Sequence, residues 1–145
     1  MIIWRGWGIL GVLFVPLGIF LGFGLGRTNF SIAGGLLLGA LGCAALGYWL
    51  NVVRPRARAA AFAEGRTSEL ASYIASGHYQ PTPGYQPGSV EEARELAGRQ
   101  VVAEQADVER ALRNQNTVFW IPMQFLAIGI ALLAFAELFG LIHIH

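Results

Sequence analysis

Apolar residues run almost unbroken through three parts of this chain, with charges punctuating them at wide intervals. No charge falls between Arg5 and Arg27 or between Arg27 and Arg54, and a third apolar run extends from Val118 to Ala136 before Glu137. A helix needs about 20 apolar residues to cross the hydrocarbon core of a bilayer. The pattern therefore predicts transmembrane helices near 2–25, 30–53 and 118–142. The expected fold class is an all-α membrane protein: a transmembrane hairpin over 1–53, an insert over 54–116, and a last span with the C-terminus over 117–145. A cleaved signal peptide would need a small-residue cleavage site and then a polar mature domain. Gly26-Arg27-Thr28-Asn29 leads instead into another apolar run, so the first segment is read as a span.

Inside the insert the periodicity changes. "RPRARAAAFAEGR" is a basic strip, "TSELASYIASG" reads as a short helix ending at Gly77, and "YQPTPGYQPGS" is a turn-rich break. A longer helix is expected near 89–113, where Val90, Ala93, Ala97, Val101, Val108 and Leu112 recur on one face. Ser89 and Glu92 open it as an S-x-x-E capping box, with the glutamate expected on the cap amide. Its thin apolar stripe has two candidate destinations, a partner protein or the basic strip. Residues 54–66 carry four arginines and one glutamate, whereas 89–113 carry six acids and four arginines.

Charge then orients the spans. Arg54, Arg56 and Arg58 follow the second span, and Arg110 and Arg113 precede the third. By the positive-inside rule these ends face the cytoplasm, giving a cytoplasmic insert, an N-terminus inside and a C-terminus outside. Trp4, Trp7, Trp49 and Trp120 all fall at that same end, where an amphipathic ring suits the interface. With Arg5 and Arg54 they are the expected interface anchors.

Composition sharpens this picture in two respects. The charged fraction is 13 %, against about 25 % for an average soluble domain. The formal net charge of +1 carries no basic excess of the kind a nucleic-acid partner would require. The one cysteine, Cys43, leaves the redox compartment undecided.

Small residues recur at every fourth position in both early spans: Gly18, Gly22 and Gly26 in the first, and Ser31, Gly35, Gly39, Cys43, Gly47 and Asn51 in the second. Such stripes let helix backbones approach closely. Packing of the two spans on each other is the expected use, with docking onto a larger membrane protein as the alternative. Pro16 should kink the first span, whereas Pro122 lies near the start of the third, where fewer bonds are lost.

Candidate chemistry is sparse. Glu137 is the sharpest candidate, since a carboxylate within a span is costly, and its place near the outer end of its run favours contact with water or headgroups. His143 and His145 form an H-x-H ending read as a frayed terminus, not a metal site. No phosphate loop, nucleophile elbow, CxxC or HExxH motif occurs, so neither catalytic residues, a metal nor another cofactor is expected.

Three short segments, "MIIWRGWG" at the opening, "GYWLN" at the end of the second span and "NTVFWIPM" over Asn116–Met123, resemble a group of small bacterial membrane proteins of unknown function. The resemblance implies location in the bacterial cytoplasmic membrane and no particular activity. Taken together, the readings point to a non-enzymatic accessory or stabilising subunit bound to a larger integral membrane complex and to lipids. A self-associating transport or channel component using Glu137 is the runner-up. A sensor of anionic lipid, built from Arg54, Arg56, Arg58 and the 89–113 helix, is the third.

Overall fold

The computed structural model describes residues 4–142, so His143 and His145 lie outside the described part. The chain is mostly helical and divides into two units, Met1–Val53 with Asn114–His145, and Arg54–Arg113. Two helical stretches, Gly6–Leu25 and Asn29–Ala75, are long and apolar enough to cross a membrane, and Met123–Leu138 is a shorter apolar helix.

In the first unit, strand β1 (Trp4–Arg5) and one 3-10 turn (Gly6–Gly8) precede α1 (Ile9–Leu25). The helix expected from residue 2 thus starts later, because Gly6 takes a φ of 60° that helix does not allow. At the other end Gly26, expected in the packing stripe, lies past the helix as its cap. Its φ is 154°, and a Cβ there would stand 2.8 Å from Ser31 Oγ. Helix α2 (Asn29–Tyr48) is capped by Thr28, whose hydroxyl accepts from the Ser31 amide at 3.2 Å. It passes into a π-helical segment, Trp49–Val53.

Helix α2 is the centre of this unit, packed on α1 along one face and on α5 (Met123–Leu138) along another. Ile32, Leu36, Ala40, Cys43, Leu50, Met123, Ala127, Ile130 and Ala134 form the core. Outward-facing side chains are largely apolar too: Leu13, Leu17 and Phe20 on α1, and Phe125, Ile128, Leu132 and Phe135 on α5 are all exposed. Where every exposed face of a helix is apolar, the surrounding medium suited to it is lipid.

The all-α expectation needs one correction. Strands β2 (Thr117–Val118) and β3 (Ile121–Pro122) join β1 in a small antiparallel sheet of order β1-β2-β3. The third apolar run is therefore a hairpin followed by a helix from Met123, not a helix from 118. Pro122 explains the late start, since the residue before a proline is driven out of the helical region. Its missing N–H costs nothing on an edge strand. At the far end α5 stops at Leu138 through Gly140, at φ 69°, with Leu141 N donating to Ala136 O at 2.8 Å and Gly140 N to Glu137 O at 3.1 Å.

The second unit pairs α3 (Arg54–Ala75) with α4 (Val90–Leu112). The basic strip and the short helix expected after it are one continuous helix, because alanines dominate the strip and its proline, Pro55, falls in the first turn of α3, where a missing N–H is tolerated. Gly77, at φ 72°, ends it: His78 N reaches Tyr73 O at 2.9 Å and Gly77 N reaches Ile74 O at 3.1 Å. Helix α4 turns its stripe onto α3, burying Ala93, Ala97 and Val101 against Leu70 and Tyr79.

Candidate functional site

The segments "WRGWG", "GYWLN" and "NTVFWIPM" meet at one end of the first unit. Trp4 pairs with Val118 and Arg5 with Thr117 across the β1–β2 ladder. Behind the sheet, the buried side chain of Asn51 donates to Asn116 O at 3.0 Å and to Gln124 Oε1 at 2.7 Å. Its own Oδ1 accepts from Asn116 N at 2.9 Å and Asn116 Nδ2 at 3.0 Å. Asn116 Oδ1 in turn accepts from Trp7 N at 2.9 Å, and Gln124 Nε2 donates to Asn114 Oδ1 at 3.1 Å.

Each polar group is thereby matched in a place where an unmatched one would be costly. The glycines of the opening motif have their reason here. A Cβ on Gly6 would stand 2.6 Å from Asn116 Oδ1, and one on Gly8 would overlap the Thr117 carbonyl. Of this junction, the sequence pattern marked only Asn51, as the last member of its fourfold register. Asn114, Asn116 and Gln124 gave no periodic signal, although Asn116 opens a segment singled out for other reasons.

Below the junction the small residues of α2 serve two neighbours. A Cβ on Gly35 would overlap Gly18 O, and one on Gly39 would come within 2.6 Å of Phe14 O, both in α1. Gly22 likewise lies so close to α2 that a Cβ would stand 2.6 Å from Ile32 Cα. Gly47 faces α5 instead, with Gln124 N at 2.5 Å from the same test position. Between them the Cys43 thiol points at Met123 O, 3.4 Å away. One stripe thus seats both partner helices.

Glu137 corrects a second expectation. It is fully buried in the chain, not turned to water or headgroups. Met123, Ala127, Ile130, Ala134 and Glu137 form the buried edge of α5, so Glu137 belongs to the face against α2 despite its place near the helix end.

The anchor residues of the first unit fall in the segments that meet at the junction, whereas Arg54 opens the second unit. Trp7 and Trp49 are exposed, Arg5 and Arg54 are exposed, and Trp4 enters as a β1 residue. Trp120 does not sit on a helix. It shares with Phe119 the two-residue tip between β2 and β3, where φ is 48° at Phe119 and 64° at Trp120. A two-residue turn with both φ positive is the type I′ geometry, for which Asn-Gly is the favoured pair. Two aromatic residues there are under backbone strain of roughly 1–2 kcal/mol each.

In the second unit, Arg66 joins α3 to α4 through Glu104, with Nε to Oε2 at 2.8 Å and Nη2 to Oε1 at 3.2 Å. It also reaches Glu69 at 2.7 Å, while Arg56 reaches Glu109 at 3.2 Å. Arg66, with Gln100, holds the Glu104 carboxyl below the usual range, and the two carboxylates hold the guanidinium above its own. At the start of α4, Ser89 Oγ accepts from Glu92 N at 3.1 Å. The Glu92 carboxylate reaches past the cap amide to Gly88 N at 2.8 Å and to the Tyr85 hydroxyl at 2.5 Å. The Tyr85 hydroxyl, chiefly, holds that carboxyl low.

The pairing of α3 and α4 leaves an open groove of about 470 Å³. Leu70, Ile74, Val90, Ala97 and Val101 line it, with Arg94 at its wall. Arg94 is exposed and makes no ion pair among the described residues. Among the described residues no group of three or more histidines, cysteines, aspartates or glutamates is placed to hold a metal. No protein-family model, curated protein or solved structure matches this chain.

Proposed function

We propose that this chain is a three-span accessory subunit of a larger membrane complex, without catalytic activity of its own. The observation that carries the reading is the α3/α4 groove: an apolar trough with one cationic wall residue, left open by two helices. A helix pair of this kind gains most by accepting a third helix. The occupant we assign is an amphipathic helical segment of the partner that sets a carboxylate against Arg94. The apolar outer faces of α1 and α5 support the membrane setting. The arginines at 54, 56, 58, 110 and 113 support a cytoplasmic insert, and the three-segment resemblance supports a bacterial cytoplasmic membrane.

A photo-crosslinking side chain introduced at Ala71 or Gly98, which line the groove, tests this in intact membranes. The expected product joins the chain to one integral membrane protein in fixed ratio. It disappears with Arg94→Glu and persists with Arg99→Glu. Migration as a lone monomer in mild detergent at every expression level, with no crosslink, overturns the proposal.

A self-associating transport component is the second reading, favoured by the complete burial of Glu137. Buried carboxylates in spans commonly serve ion or proton pathways. Under that reading Glu137→Gln abolishes flux in vesicles, whereas an accessory subunit carrying it still joins its complex.

A further inference from the structure

Helix α5 has 16 residues, or about 24 Å at a rise of ~1.5 Å per residue. A hydrocarbon core is ~30 Å thick. If the third apolar run crosses the membrane, as the proposed function holds, its helix is too short by itself. The missing length matches the two residues of β3, which add about 6–7 Å in extended form.

Extended backbone at that depth is tolerated only when its polar groups are matched within the protein. The hairpin meets this on its inner side: β3 pairs with β2, β2 is itself paired on both sides, and Met123 N donates to Asn116 O at 3.0 Å. The exposed row Phe125, Ile128, Leu132 and Phe135 continues toward the tip through Ile121, which is also exposed. At the end of that row stand Phe119, 56 % exposed, and Trp120, 70 % exposed.

Strain held in an exposed turn needs a reason outside the folded chain, because neither ring is buried by the protein around it. From these observations we infer that the Phe119–Trp120 hairpin is a membrane-interface wedge. It completes the short third span as a strand and seats its two rings at the boundary between headgroups and acyl chains. A lipid surface suits the tip: the indole presents an apolar face and one N–H, and Arg5 stands exposed on the strand that pairs with β2. Continuity with the apolar row of α5 distinguishes this lipid contact from a patch for a soluble partner.

The test uses the full chain with Trp4, Trp7 and Trp49 changed to Phe, reconstituted in phosphatidylcholine/phosphatidylglycerol vesicles. Trp120 is then the one emitter. The expected result is a blue-shifted emission that loses most of its intensity with lipids brominated high on the acyl chain. Lipids brominated near the chain end quench it less, and aqueous iodide quenches it little. Iodide quenching equal to that of free tryptophan overturns the inference, as does protection from both quenchers.

A second measurement avoids the indole. In a Cys43→Ala background, Ile121→Cys should react slowly with a membrane-impermeant maleimide. Its rate should rise severalfold when Phe119-Trp120 is replaced by Asn-Gly; unchanged rates overturn the wedge. Release of the chain from vesicles by alkaline carbonate overturns the membrane reading itself, whereas a firmly inserted chain with a wet Trp120 overturns the wedge alone.

Discussion

Asn51 and Asn116 lie 65 positions apart in the chain and hold each other through three hydrogen bonds, two received by Asn51 Oδ1 and one donated by its Nδ2. An amide is the group that can play both parts at once, donating and accepting from a single side chain. The pair ties the end of α2 to the segment that becomes the β2–β3 hairpin.

Asn51→Leu removes those bonds and leaves Asn116 and Gln124 without these partners in a half-buried setting. A loss of about 2 kcal/mol or more is expected, read as a lowered midpoint of thermal unfolding in detergent. Asn51→Asp should also destabilise, because a carboxylate cannot donate to Asn116 O or Gln124 Oε1. A midpoint unchanged by both substitutions would show that the junction is not a structural centre.

Gly35 and Gly34 are neighbours with opposite expectations. A methyl on Gly35 overlaps Gly18 O in α1, whereas one on Gly34 meets nothing within 4 Å. Gly35→Ala should cost about 2–3 kcal/mol by forcing backbones apart, while Gly34→Ala should gain up to about 1 kcal/mol of helix propensity. Comparing the two unfolding midpoints checks both signs.

The hairpin tip yields a prediction in the stabilising direction. Replacing Phe119-Trp120 by Asn-Gly relieves the positive-φ strain at both positions and should add about 2–4 kcal/mol in detergent. A fall in the unfolding midpoint would mean that the two rings stabilise the folded chain by more than their backbone costs.

The pairing of α3 with α4 should weaken in acid. Glu104 and Glu92 are held below the ordinary carboxylate range, by Arg66 and by Tyr85 respectively. A carboxyl depressed on folding stabilises fully above its unfolded pKa, about 4.3, and that contribution is lost as pH falls through the lower folded value. Hydrogen exchange in α3 and α4, corrected for intrinsic rates, should report more frequent opening below about pH 4. Glu104→Gln should raise opening at neutral pH and flatten the acid response. Opening that is independent of pH in the native chain would contradict the assignment.

Long apolar runs and the α4 pattern were legible because each is a repeated signal. Val90 to Leu112 carries its stripe through several turns, and Ser89 marks its start at the position the cap requires. The hairpin was not legible, since Thr117–Val118 and Ile121–Pro122 are as apolar as the helix after them. Only the rule about residues preceding a proline separates the two.

Glu137 was legible in principle. Counting from the end of the apolar run places it near water, but counting along the face from Met123 in steps of four and three places it on the buried edge. Depth and face are independent coordinates, and the face decided its environment. The amide junction was hidden for a different reason. Asn116 and Gln124 acquire their meaning only from a segment far upstream, and no local period can announce that.

Strand β1 pairs with β2 across more than a hundred residues of intervening chain. During synthesis, Trp4 and Arg5 leave the ribosome long before Thr117 and Val118 exist, so the opening segment waits without its ladder partner. The α1–α2 hairpin, whose Gly18–Gly35 contact is local, can close in that interval. Docking of the N-terminal strand then waits until Thr117 and Val118 have been made, and it ties the two separated parts of the first unit together only after the helices between them in sequence have left the ribosome.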